Sequence, residues 1–138
     1  EMPFMHSLKQ LRSGELAGIT RLDLCCNLTD FPEEIFSLAD SLEVLNLSGN
    51  RLSALPADLT RLHKLRIVFC SDNLFTSVPE VLGNCTQLEM IGFKSNRTVI
   101  TQLRNIGICH SYRRLTAHVL IIVFSITKIN DISKNDYM

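Results

Sequence analysis

A period of 23 residues runs from Ile19 to Asn96, and it constrains the fold more than any other feature of the chain. Four segments set in register read ITRLDLCCNLTDFP, LEVLNLSGNRLSALP, LRIVFCSDNLFTSVP and LEMIGFKSNRTVIT. Their first apolar anchors, Ile19, Leu42, Leu65 and Leu88, each fall 23 residues after the one before. The same step holds at the fourth position (Leu22, Leu45, Val68, Ile91), the sixth (Leu24, Leu47, Cys70, Phe93) and the ninth (Asn27, Asn50, Asn73, Asn96). Self-similarity at such a period marks a stack of units, each too small to bury its own apolar face.

Within a unit the apolar fourth and sixth positions alternate with variable third, fifth and seventh ones, the period of a short strand with one buried face. Stacking turns the strands into a parallel sheet, about 15 Å wide for four rungs. The asparagines belong where the chain leaves the strand, because an amide side chain can satisfy both backbone donors and acceptors. Asn27, Asn50, Asn73 and Asn96 are therefore expected to form a ladder along one edge. Each turn ends in an apolar residue and a proline, Phe31-Pro32, Leu55-Pro56 and Val78-Pro79. Proline suits the first turn of a helix, so short helical or 3₁₀ segments should follow. Ile35 and Leu38, Leu59 and Leu62, and Leu82 and Cys85 would close the core from that convex side. The first unit has one residue fewer between its asparagine and its proline, which predicts a local bulge at residues 25–28 rather than a broken stack.

Length and charge set further bounds. A chain of 138 residues is one domain with enough apolar content for a core. Fourteen basic residues balance 14 acidic ones, against the basic excess on which generic nucleic-acid or anionic-membrane binding rests. Five cysteines are scattered without C-x-x-C spacing; Cys70 and Cys85 read as buried hydrophobes. Cys25-Cys26 has no histidine or cysteine partner at ligand spacing, so no metal site and no cofactor is expected. Residues 1–14 lack the basic and apolar regions of a signal peptide. Phe4, Leu8 and Leu11 recur at helical spacing, predicting a cap helix that stops near Gly14.

Beyond Asn96 the period ends: the template wants apolar residues at 98 and 101 and a proline at 102, where the chain has Thr98, Thr101 and Gln102. The apolar run at 119–124 is far shorter than the roughly 20 residues of a membrane span. It reads as a buried strand or a helix in a C-terminal cap, or else as part of a degenerate tail.

The L-x-x-L-x-L-x-x-N wording of the units resembles the leucine-rich repeat. The stretches LRSGELAGITRLDL, LEVLNLSGN, LHKLRIVFCSDN and LEMIGFKSNR resemble the repeats of bacterial leucine-rich-repeat proteins that carry a protein-kinase domain further along, over residues 8–97. The resemblance implies an α/β fold: a short horseshoe solenoid of about four 23-residue repeats with a parallel sheet on its concave face. Residues 1–18 would be an N-terminal cap, 19–97 the repeats and 98–138 a C-terminal cap or tail. No glycine-rich phosphate loop, H-R-D or D-F-G is present, so kinase activity does not carry over. The family's usual use, binding another protein, does. Extracellular members usually have disulfide-bonded caps, and none matches here, so a cytoplasmic setting is expected: bacterial, or host cytosol for a secreted effector.

The third, fifth and seventh positions should point out of the concave face. In order they are Arg21, Asp23 and Cys25; Val44, Asn46 and Ser48; Ile67, Phe69 and Ser71; Met90, Gly92 and Lys94. Val44, Ile67, Phe69 and Met90 would form an apolar centre, with Arg21, Asp23, Asn46, Ser71 and Lys94 around it, the usual anatomy of an interface. The alternative is that the C-terminal tail folds over these residues. Cys109-His110 suggests a nucleophile and base, but neighbours on a strand point to opposite faces, and no catalytic motif accompanies them. The expectation is a non-catalytic module that grips one partner protein one-to-one, inhibiting or regulating it. The competing reading is a remnant of a longer kinase with no partner of its own.

Overall fold

The computed structural model describes residues 5–96. Phe4 as a helix anchor, the 119–124 run, Cys109, His110, His118 and the expected C-terminal cap lie outside these residues.

Four three-residue strands, β1 (Arg21–Asp23), β2 (Val44–Asn46), β3 (Ile67–Phe69) and β4 (Met90–Gly92), form one parallel sheet in chain order. Arg21, Val44, Ile67 and Met90 stand in register, as do Leu22, Leu45, Val68 and Ile91, and Asp23, Asn46, Phe69 and Gly92. Every partner is 23 residues away, so the sequence period is the sheet register.

The fourth- and sixth-position side chains, Leu22, Leu24, Leu45, Leu47, Val68, Cys70, Ile91 and Phe93, are buried to 1% exposure or less. Three 3₁₀ segments cover them from the other side: Glu33–Leu38, Leu59–Arg61 and Glu80–Asn84. Pro32 and Pro79 stand immediately before two of them, where a residue without an N–H costs no hydrogen bond. Ile35, Leu38, Leu59, Leu62, Leu82 and Cys85 are buried beneath, as their spacing predicts. Phe75 and Phe93 pack ring to ring at 5.2 Å in the interior between sheet and convex segments. On the convex surface Arg61 lies 4.2 Å over the Phe36 ring, and His63 is exposed with Nε2 3.2 Å from Asp40 Oδ1.

The N-terminal helix, α1 (Leu8–Arg12), is one turn and a half long and starts at the Ser7 cap. Ser7 and Gln10 close a reciprocal capping box at its start, which satisfies two donors that a short helix leaves open. Leu11 enters the core and Leu8 packs at its margin. Arg12 pairs with Glu34 on the first convex segment.

The asparagine ladder has three members, not four. Asn50 Nδ2 donates to the carbonyls of Leu24 and Leu47, and its Oδ1 accepts from the N–H groups of Cys26 and Leu28. Asn73 donates to Leu47, Cys70 and Ser71 and accepts from Leu52; Asn96 donates to Cys70, Phe93 and Lys94 and accepts from Phe75. Each asparagine therefore fastens the turn of the repeat before its own. Asn27 has no such turn before it, and it is exposed with φ 61°. It occupies the left-handed turn position that Gly49 (φ 76°), Asp72 (φ 54°) and Ser95 (φ 58°) occupy in the later repeats. The residue missing from the first turn moves Asn27 from ladder to corner, a conformation asparagine tolerates. The stack survives as expected: Leu28 O accepts from Arg51 N–H just as Leu52 O accepts from Leu74 N–H.

Candidate partner-binding face

One face of the sheet packs on the core, and the third, fifth and seventh positions stand on the other. Successive strand residues alternate faces, so Arg21 and Asp23 share one, as do Val44 and Asn46, and Ile67 and Phe69. The two halves of this face differ in chemistry.

Toward β1 it is a closed polar network. Arg21 grips Asp23 with two hydrogen bonds of 2.9 Å, Asn46 Nδ2 donates to the same carboxylate at 2.9 Å, and Asn46 Oδ1 accepts from Ser48 N–H. His6 crosses the edge: its N–H donates to Asp23 O at 2.8 Å, and its Nδ1 accepts from Asp23 N–H at 3.0 Å. Burial pushes the Asp23 carboxyl up, but the hydrogen bonds from Arg21 and Asn46 outweigh it and hold the group below the usual carboxylate range. Asp23 is only 5% exposed, so it organises this half rather than standing free on a rim.

Toward β4 the face is apolar. Val44, Ile67 and Met90 form one row across three adjacent strands, and all are half-buried, as is Phe69 in the next row. Gly92 makes room for Phe69: a Cβ at Gly92 would lie 2.8 Å from Phe69 Cδ1, so the ring leans over the bare backbone of β4. The row and this ring make a contiguous platform. Below it, at the second position of the repeats, Arg66 bridges Glu43 and Glu89, with Nε and Nη2 on Glu89 and Nη1 on Glu43. Both carboxylates raise the Arg66 guanidinium, and Arg66 in turn lowers Glu89.

The expected contact residues thus fall into three groups. Val44, Ile67, Phe69 and Met90 come together as a platform; Arg21, Asp23 and Asn46 come together as a network; Ser71 and Lys94 stand in the seventh-position column beside Ser48. Sequence reasoning did not reach His6, whose part in the network depends on where the chain enters the first repeat. Nor did it reach an open groove of about 720 Å3 between α1 and the first turn, lined by Leu8, Cys26, Leu28, Phe31 and Glu34 among others. That groove opens where the first turn is one residue short.

Cys25 and Cys26 are exposed thiols, with Cys25 Sγ donating to Gly49 O at 3.3 Å. Burial raises Cys26, and the neighbouring Cys25 adds to it. Burial also pushes Cys70 up to about 12 and Cys85 to about 11, which makes both inert packing atoms at neutral pH. No cluster of three metal-ligating side chains occurs among the described residues, and no helix among them is long and apolar enough to cross a membrane.

Comparison with known proteins agrees with the architecture. The leucine-rich-repeat family model matches residues 17–75. The chain is 38% identical over 66 residues to the probable serine/threonine-protein kinase roco9 of Dictyostelium discoideum, covering 47% of this chain and 2% of that protein. It is 31% identical over 97 residues to the probable inactive serine/threonine-protein kinase roco10 of the same organism, covering 62% and 4%. It is 32% identical over 79 residues to human leucine-rich repeat and IQ domain-containing protein 4, covering 57% and 12%. The chain thus spans a small fraction of each relative's length, and these three are eukaryotic rather than bacterial. With its strands in register at every 23rd residue, and with residues 17–75 matching the family model, the chain carries leucine-rich repeats over that stretch.

Proposed function

We propose that this chain is a non-catalytic protein-interaction module that binds one partner protein, one-to-one, through its concave face, and regulates it. The observation that carries this reading is the half-buried platform of Val44, Ile67, Phe69 and Met90 beside a closed polar network. A sheet face of an isolated domain is more economically polar. Apolar and aromatic side chains ringed by polar ones are what the centre of an interface uses. Completing the burial of Phe69 and Met90 would contribute about 1 kcal/mol each, since each is already half covered. In this reading α1 caps the first repeat, residues 19–97 form the binding unit, and catalysis plays no part.

A second reading draws on the two kinase relatives: a piece of a larger kinase-type protein whose concave face has no partner of its own. Affinity capture from lysates separates the two, with unmodified chain set against a Phe69→Glu/Met90→Glu variant. One protein retained in equal stoichiometry by the unmodified chain alone supports the interface. Equal retention by both variants refutes the concave face, and retention of nothing favours the partnerless piece. The named relatives support no assignment to bacterial effectors.

A further inference from the structure

The seventh-position column, Cys25, Ser48, Ser71 and Lys94, is the part of the concave face that the platform does not explain. Ser71 is 8% exposed, yet its hydroxyl has no hydrogen-bond partner among the described residues. Its main chain is fully engaged: the N–H donates to Ser48 Oγ at 3.1 Å, and the carbonyl accepts from Gly49 N–H and Asn73 Nδ2. Ser71 Oγ lies 3.5 Å from where a Gly92 Cβ would stand, which puts it on the concave side next to the Phe69 ring. A hydroxyl this buried and unpaired is costly unless something else completes it. The Ser48 oxygen already accepts from Ser71 N–H, so its own proton is available to donate outward. Lys94 stands one rung further in the same column, exposed and without a carboxylate within ion-pair distance among the described residues. Its rung is held to Ser71's neighbour by the bond from Asp72 N–H to Lys94 O at 2.9 Å.

We propose that Ser48, Ser71 and Lys94 form a subsite for a single carboxylate of an extended partner segment, with an adjoining apolar side chain of that segment lying on Phe69 and Met90. The inference rests on the concave-face reading above and adds the chemistry of what the face selects. Two hydroxyls able to donate and an ammonium stand in one column, so a ligand meets a donor on each of three rungs. An ionised acceptor gains most from such donors, because charge-assisted bonds are about twice as strong as neutral ones. Asp72, exposed in the turn at the outer edge of the column, sets the limit. Its negative charge disfavours a doubly charged phosphate more than a singly charged carboxylate, so the occupant is an acidic side chain of the segment, glutamate or aspartate.

The test titrates the full-length chain, observed by amide NMR, with a capped leucine–glutamate–leucine peptide and with its glutamine counterpart. The glutamate peptide should shift the amides of Ser48, Ser71 and Lys94 and bind about tenfold more tightly than the glutamine one. Ser71→Ala and Lys94→Gln should each reduce that preference several-fold, because each weakens the glutamate peptide more than the glutamine one. Ser71→Ala should also melt no lower than the unmodified chain, because it deletes an unsatisfied group; a clear loss of stability would mean the hydroxyl has an internal partner and would overturn the proposal. Equal affinity for both peptides, a glutamate preference that survives Lys94→Gln, or no shifts at the three amides would each overturn it too. A Phe69→Glu arm keeps the two readings apart: if both peptides bind equally and both are lost there, the platform stands and the carboxylate subsite falls.

Discussion

Replacing Asn50, Asn73 and Asn27 by alanine, one at a time, should destabilise the chain in that order, although the three occupy the same place in the sequence period. The magnitudes follow from what each side chain leaves behind. Without Asn73, the Leu47 carbonyl keeps Asn50, the Cys70 carbonyl keeps Asn96, and the Ser71 carbonyl keeps Gly49 N–H. Only the Leu52 N–H, on a residue with no exposed surface, loses its acceptor. One orphaned buried donor, with the net worth of the lost bonds, comes to about 2–3 kcal/mol. Asn50 is used more heavily: its loss strands the Leu24 carbonyl and the Leu28 N–H, both on buried residues, and frees the Cys26 N–H to water. That comes to about 3–5 kcal/mol. Asn27 holds no ladder bond, so alanine there costs only the left-handed corner, about 1 kcal/mol. Against a total stability of roughly 5–14 kcal/mol for a domain of this size, all three are resolvable by urea unfolding followed by circular dichroism under reducing conditions. Asn27→Ala costing as much as Asn73→Ala, or Asn73→Ala costing more than Asn50→Ala, would refute the account of the ladder.

Two further outcomes follow from the ionisable groups. Asp23 is held below the ordinary carboxylate range, so its contribution to stability is present above about pH 4 and is lost as pH falls through its folded value; as pH falls below about 4 the unmodified chain should lose more stability than Asp23→Asn, and parallel acid titrations would contradict this. Iodoacetamide at neutral pH, read by peptide mapping, should modify Cys25 or Cys26 in the folded chain and reach Cys70 and Cys85 only after unfolding, since those two are buried and pushed up to about 12 and about 11; labelling of Cys70 at the same rate as Cys25 would show that the core is open.

What the sequence by itself determined is everything that repeats. Register, core and convex cover follow from one period because each rung sees the rung before it in the same place. Leu22, Leu45, Val68 and Ile91 need no tertiary information to be assigned to a buried column. The concave platform was legible for the same reason, since alternation alone sends Val44, Ile67 and Met90 to one face. Tertiary structure decided whatever depends on a neighbour that is not another copy of the unit. Asn27 matches the ladder in spacing but not in role, because a ladder asparagine serves the preceding turn and the first repeat has none. Asp23 reads as a rim charge, yet Arg21, Asn46 and the incoming His6 enclose it. Ser71 reads as one more polar position, and only its surroundings show a buried hydroxyl without a hydrogen-bond partner among the described residues. Periodicity fixes where a side chain stands; which partners remain for it is settled by the ends of the stack and by neighbouring strands, which no single repeat encodes.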